Sequence, residues 1–132
     1  MDNRYLIDTN ILIYYLNNKI PENQIEKIER IFKTSFNIST ITKIEVLGWH
    51  KIKENEKKQI QKFLSNATIF YIDKHIENRA IGIKQSCKAP TPDTIIGATA
   101  LENNFIIVTR NENDFKKIKG INIFNPFKIN KL

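Results

Sequence analysis

Short apolar runs alternate with longer amphipathic stretches along the whole chain, and this alternation restricts the fold more than any other property of the sequence. The apolar runs are Tyr5-Leu6-Ile7, Phe36-Asn37-Ile38-Ser39, Ile69-Phe70-Tyr71-Ile72, Phe105-Ile106-Ile107-Val108-Thr109 and Ile121-Asn122-Ile123-Phe124. Between them, helical patterning is predicted over 10–16, 22–33, 41–50, 54–65, 74–84 and 93–102, with a short helix near 114–117. The second of these places Ile25, Ile28, Ile31 and Phe32 on one face, and 54–65 does the same with Ile60, Phe63 and Leu64. Gly97, Ala98 and Ala100 allow close packing of the 93–102 helix, which follows a stiff connector, Ala89-Pro90-Thr91-Pro92. Regular strand–helix alternation predicts an α/β fold of three α/β/α layers around a mainly parallel five-stranded sheet. No linker, repeat or low-complexity tract divides the 132 residues, so one domain over 1–132 is expected.

Ligands of open parallel sheets bind beyond the carboxyl ends of the strands. Four acids fall at or near such strand-to-helix junctions or on first helical turns: Asp8, Glu45, Asp93 and Asp114. Each has an ordinary structural explanation. Asp8 suits a helix N-cap. Glu45 completes a capping box in Thr42-Lys43-Ile44-Glu45. Asp93 after Pro92 suits the positive end of a helix, and Asp114 before Phe115 can simply begin one. If they converge, they form a carboxylate pocket that hard divalent cations would neutralise.

The rest of the chain has the opposite charge. Its 21 Lys and Arg against 14 Asp and Glu give a net charge of +7, and the pI is near 9.5. That favours an anionic partner, although the abundance of Ile, Lys and Asn is also what a biased coding composition produces. Cys87 stands alone, which excludes an internal disulfide and a cysteine metal cluster and fits a reducing cytoplasm. Met1-Asp2-Asn3-Arg4 has no signal-peptide organisation, and charges interrupt every apolar run, so no membrane association is expected.

Taken together, the motifs resemble those of the PIN-domain nucleases. Asp8-Thr9-Asn10-Ile11-Leu12-Ile13 is similar to the opening motif of that family, and Ser39-Thr40-Ile41-Thr42-Lys43-Ile44-Glu45-Val46-Leu47-Gly48 to the second. Pro92-Asp93-Thr94-Ile95-Ile96-Gly97-Ala98-Thr99-Ala100 is similar to the third, and Val108-Thr109-Arg110-Asn111-Glu112-Asn113-Asp114-Phe115 with Asn125-Pro126-Phe127 completes the series. Each motif is weak alone; the ordered set spans nearly the whole chain. Length and motifs look most like the VapC-type toxins of prokaryotic toxin–antitoxin pairs. One position departs: many relatives carry an aspartate directly after Thr-Arg, where this chain has Asn111, while others have Asn there and an acid three residues on, as Asp114 is here.

The resemblance implies a metal-dependent endoribonuclease leaving 5′-phosphate and 3′-hydroxyl ends, a homodimer, and a small cognate antitoxin that blocks the site. Mg²⁺ or Mn²⁺ is the expected cofactor, with Asp8 and Asp93 as direct ligands, Glu45 assisting and Asp114 as fourth acid. Asn111 is a secondary candidate through its carbonyl or a water. Thr9 and Thr109 are candidates for positioning an acid or a phosphate, or are plain helix-start hydroxyls. Lys43, Lys51, Arg110, Lys116 and Lys117 are candidate RNA contacts, each of which is also an ordinary solvated charge. Two other readings compete. A catalytically inactive PIN-like RNA-binding module is kept open by Asn111. A haloacid-dehalogenase-like phosphatase is suggested by Asp8-Thr9, but that family places a second Asp where this chain has Asn10.

Overall fold

The computed structural model describes residues 3–128; residues 1–2 and 129–132 of the expected 1–132 domain lie outside the described residues. The elements run β1 (Tyr5–Ile7), α1 (Thr9–Leu16), α2 (Glu22–Thr34), β2 (Asn37–Ser39), α3 (Thr40–Leu47), α4 (Glu54–Leu64), β3 (Thr68–Phe70), α5 (Lys74–Ser86), α6 (Thr91–Asn103), β4 (Ile106–Val108), α7 (Glu112–Phe115) and β5 (Ile123–Phe124). The five strands form one sheet in the order β3-β2-β1-β4-β5. Every strand pairing is parallel. The chain builds outward from β1 in one direction, then crosses back to build β4 and β5 on the other side. The switch in direction at β1 opens a crevice between the carboxyl ends of β1 and β4.

Side-chain alternation along the strands sorts the core into two layers. Ile7, Ile38 and Val108 join Ile11, Leu12, Ile28, Ile31, Val46 and Leu64, from α1 to α4, on one face of the sheet. Leu6 and Ile107 join Ile76, Ile83, Ile96, Ala98 and Phe115, from α5 to α7, on the other. Three layers follow, as the alternation predicts. Helix α6 is buried almost all round, including Thr94, Gly97, Ala98, Thr99 and Ala100. A Cβ added at Gly97 would lie 2.7 Å from the Ile118 Cδ1, so the small residue lets α6 sit close to the segment after α7. Among the described residues, no helix is long and apolar enough to cross a membrane.

Several boundaries differ from expectation, each for a local reason. Helix α3 begins at Thr40 because the Ser39 Oγ accepts the Ile41 N–H (3.2 Å). Glu45 therefore lies on the second turn and cannot close a capping box with Thr42. The helix stops at Leu47, before Gly48, and not at His50. Helix α6 begins at Thr91, so Pro92 is a first-turn residue whose missing N–H is not needed. Helix α7 starts earlier than expected because the Asn111 side chain caps it, accepting from the Asp114 N–H. Strand β3 ends at Phe70, two residues short of the predicted run.

Phe115 is wholly buried and anchors α7 to the sheet. Phe115→Ala is expected to cost about 3–5 kcal/mol, measured by urea unfolding. An unchanged midpoint would mean that α7 is held from elsewhere.

Candidate functional site

Asp8 is the residue at which β1 ends. Its N–H donates to the Val108 carbonyl of β4 (2.9 Å), which holds it at the seam between the two strands. Its carboxylate has two partners: Oδ1 accepts the Thr9 N–H (2.8 Å), capping α1, and Oδ2 accepts the Thr109 hydroxyl (2.7 Å). The helix-cap role expected of Asp8 is real, yet it engages one oxygen only. Thr109 is fully buried, and its oxygen in turn accepts the Asn111 N–H (2.9 Å) and lies 3.4 Å from the Asn10 amide nitrogen. Asn10 also accepts the Arg110 N–H (3.4 Å). The loop after β4 is thus fastened to the start of α1.

Glu45 reaches the same place from α3. The Thr9 hydroxyl donates to its Oε1 (2.6 Å), and the buried Thr42 hydroxyl sits 3.1 Å from the Thr9 oxygen. Asp93 enters from the first turn of α6, and Asp114 from α7. Asn111 bridges them: its amide donates to Asp93 Oδ2 (3.3 Å) and to Asp114 Oδ2 (3.1 Å). The same nitrogen serves two carboxylates while the Asn111 oxygen accepts from the Asp114 N–H (3.4 Å), so its carbonyl is turned away from them and engaged.

The carboxyls of the site influence one another's titration. Burial, opposed by the Thr109 and Thr9 hydrogen bonds and reinforced by the Glu45 charge, raises the Asp8 carboxyl to about 6. Burial also raises Asp93 to about 6, with the charges of Asp8, Asp114 and Glu45 adding to it. Asp93 thus feels the three other acids. Asp114 moves the other way, lowered first by the Asn111 hydrogen bond and then by Lys117. A carboxyl held high beside one held low tends to keep the proton and donate it across the pair. The four acids nevertheless do not close into a cage: among the described residues no group of three or more His, Cys, Asp or Glu is drawn together tightly enough to hold an ion. An open set of hard oxygen donors, crowded enough to resist full ionisation, fits Mg²⁺, which keeps most of its own waters and takes one or two carboxylates directly.

The candidate RNA contacts scatter. Arg110 is exposed on the loop after β4, Lys116 is exposed just after α7, and Lys51 is exposed between α3 and α4. Lys43 is half-buried on α3. Lys117 is the cation of an ion pair with Asp114 (3.4 Å) and also donates to the Lys88 carbonyl (3.3 Å). A hollow of about 700 Å³ lies at the opposite, amino end of the sheet among Asn3, Arg4, Tyr5 and Asn37, and none of the four acids lines it. Sequence reasoning passed over Asn10 and Thr42, which tie the acids' supports together, and Tyr14 and Phe127, which bracket Arg110. Asn10 had a visible signal as the third residue of Asp8-Thr9-Asn10, and Phe127 had one as the last residue of Asn125-Pro126-Phe127; Tyr14 had none.

Raised carboxyls make stability depend on pH with a definite sign. Asp93 titrates near 3.8 unfolded and about 6 folded, so its contribution is fully favourable below 3.8 and is lost as pH rises through 6. Without divalent metal, Asp93→Asn should therefore raise the melting temperature at neutral pH. Asp93 is half-buried, so solvent screening limits the gain to about 1–2 kcal/mol. The gain should vanish as pH falls below 3.8. Equal melting curves at neutral pH would show that the acids do not repel one another.

The PIN domain model matches residues 5–121. Ribonuclease VapC2 of Rickettsia felis is 27% identical over 136 residues, covering 92% of this chain and 96% of that protein. A toxin–antitoxin complex from Klebsiella pneumoniae contains a chain similar at 31% identity and a TM-score of 0.77, covering 95% of this chain and 99% of that one. The DNA-bound VapBC of Salmonella typhimurium shares the fold at a TM-score of 0.81 and 24% identity, covering 95% of this chain and 99% of its own.

Proposed function

Because the chain belongs to the PIN domain family, we propose that it is a metal-dependent endoribonuclease, the toxin of a toxin–antitoxin pair working in the cytoplasm as one domain over 1–132. The observation that carries the reading is the hydrogen-bond geometry that brings the acids together: Thr9 joins Asp8 to Glu45, and Thr109, holding Asp8, accepts from Asn111, which joins Asp93 to Asp114. Asp8 and Asp93 would hold Mg²⁺ or Mn²⁺ directly, with Asp114 and Glu45 completing its surroundings. The ion, when bound, supplies positive charge that neutralises the acids, polarises the phosphodiester and acidifies a water.

The chain's own groups do the rest. Thr109 and the Thr9 N–H fix both oxygens of Asp8, so one geometry is presented to the ligand. The Thr9 hydroxyl holds one oxygen of Glu45 and leaves the other to take a proton from water. Water adds at phosphorus, the P–O3′ bond breaks, and the departing 3′ oxygen takes a proton from solvent while Glu45 gives up to solvent the one it accepted, leaving 5′-phosphate and 3′-hydroxyl ends. Asn111 keeps Asp93 and Asp114 together with its amide rather than acting as a ligand itself. Lys43, Lys51, Lys116 and Lys117 would add a non-specific attraction for the RNA backbone that weakens with salt.

The proposed partners are a second copy of the chain and a small antitoxin. An antitoxin Arg or Lys directed at the acids would compete with the metal for the same charges. The relatives with known structures include a toxin–antitoxin complex, which supports that reading.

RNA incubated with Mg²⁺ or Mn²⁺ is expected to be cut, and EDTA to stop it. Asp8→Asn should lower the cleavage rate at least 100-fold, on the order of what removing a charge-stabilising catalytic group costs, without unfolding the protein. Cleavage that survives EDTA sinks the metal mechanism, and a folded wild type that cuts no RNA favours the inactive RNA-binding module. For the fourth acid, Asp114→Ala should slow cleavage more than Asn111→Ala at saturating metal. The Asn111 variant should recover as metal is raised, because only the spacing of Asp93 and Asp114 has been loosened. The reverse order would reassign the position to Asn111.

A further inference from the structure

Arg110 is the residue that breaks the usual pattern of charge pairing. It follows Thr109, whose hydroxyl holds Asp8, and its own N–H is fastened to Asn10. Its sequence neighbours hold three of the four acids, Thr109 binding Asp8 and Asn111 binding Asp93 and Asp114, yet none of the ion pairs among the described residues includes it. Two aromatic rings hold it instead. Its guanidinium lies 4.3 Å from the centroid of Phe127 and 5.3 Å from that of Tyr14, and one nitrogen donates to the Tyr14 hydroxyl (3.2 Å). The rings are 4.8 Å apart and tilted at 56°. The bracket is itself built: the Phe127 N–H donates to Asn125 Oδ1 (2.9 Å), and the Asn125 amide donates to Glu112 Oε2 on α7 (3.0 Å).

Stacking on two rings opposes pairing with an acid and keeps a planar, permanently charged fork exposed on the loop that follows β4. One of its five N–H donors is engaged with Tyr14. The remaining donors suit two oxygens of one phosphate.

We propose that Arg110, bracketed by Tyr14 and Phe127, is a phosphate-positioning residue that seats the RNA backbone one contact away from the acids, so that the Asn125–Phe127 segment belongs to the substrate site. The inference rests on the ribonuclease reading for the identity of the strand. It deepens that reading by assigning one phosphate contact to one side chain.

The test separates the two. Binding of a fluorescein-labelled single-stranded oligouridylate is measured across a salt series, in full-length protein carrying Asp8→Asn so that no cleavage occurs. Arg110→Ala should weaken binding about tenfold at low salt and reduce the slope of log affinity against log salt by about 0.7, the loss of one single-strand phosphate contact. Arg110→Lys keeps the charge and so should keep the slope, while losing part of the affinity with the planar fork. Phe127→Ala should weaken binding with the arginine still present. In cleavage assays of the chain with Asp8 intact, Arg110→Ala should raise KM far more than it lowers kcat. If Arg110→Ala lowers only the melting temperature and leaves affinity and slope as they were, the stack is a structural latch and the proposal is overturned. That outcome leaves the nuclease reading untouched. Failure of the wild type to cut RNA with metal removes that reading, whereas the binding comparison still decides the role of Arg110.

Discussion

The seam between β1 and β4 is the constraint on which everything else depends. Tyr5 pairs with Ile106, Leu6 with Ile107 and Ile7 with Val108, so a strand from the beginning of the chain is locked to one from near its end. The seam is continued past the strands by side chains. The Asp8 N–H takes the next carbonyl of β4, and Thr109 takes the Asp8 carboxylate. Without that register, Asp8 and the loop that carries Arg110, Asn111 and Asp114 would have no fixed relation, and Asp93 on α6 would face nothing.

The electrostatic character of the crevice follows from what holds it. The acids are positioned by hydroxyls, an amide and backbone N–H groups: Thr9, Thr109, Asn111 and the cap of α1. These neutral donors orient a carboxylate without cancelling its charge. Lys117 is the single cation paired with any of the four acids among the described residues, and its partner is Asp114. Burial first, and the neighbouring carboxylates after it, hold protons at Asp8 and Asp93 to higher pH.

The layers and most helices were legible because hydrophobic period carries that information directly. Strand order was not, since nothing in Tyr5-Leu6-Ile7 says that its neighbours will be 37–39 and 106–108. The acids were legible as a set and ambiguous one by one. Glu45 shows why: Thr42-Lys43-Ile44-Glu45 has the letters of a capping box, but Ser39 captures the helix start first, and only then does Glu45 become free to meet Thr9. Asn111 looked like a substituted acid and is a cap and a bridge, which depends on Asp93 arriving from a different helix. Tyr14 could not be singled out, because it reads as a core filler until Phe127, legible as the end of Asn125-Pro126-Phe127, is brought against it.

The β1–β4 seam also bears on when the protein comes into being. A contact between the first strand and residues 106–108 cannot form on a growing chain until those residues have emerged, and it closes a long loop at an entropic cost that slows it further. The α1–α4 layer can collapse earlier around Ile11, Ile28, Ile38 and Leu64. The crevice cannot, since two of its walls are made from the last third of the sequence. A chain interrupted anywhere before the fourth strand has half a core and no acidic pocket at all, so synthesis itself withholds the chemistry until the molecule is nearly finished.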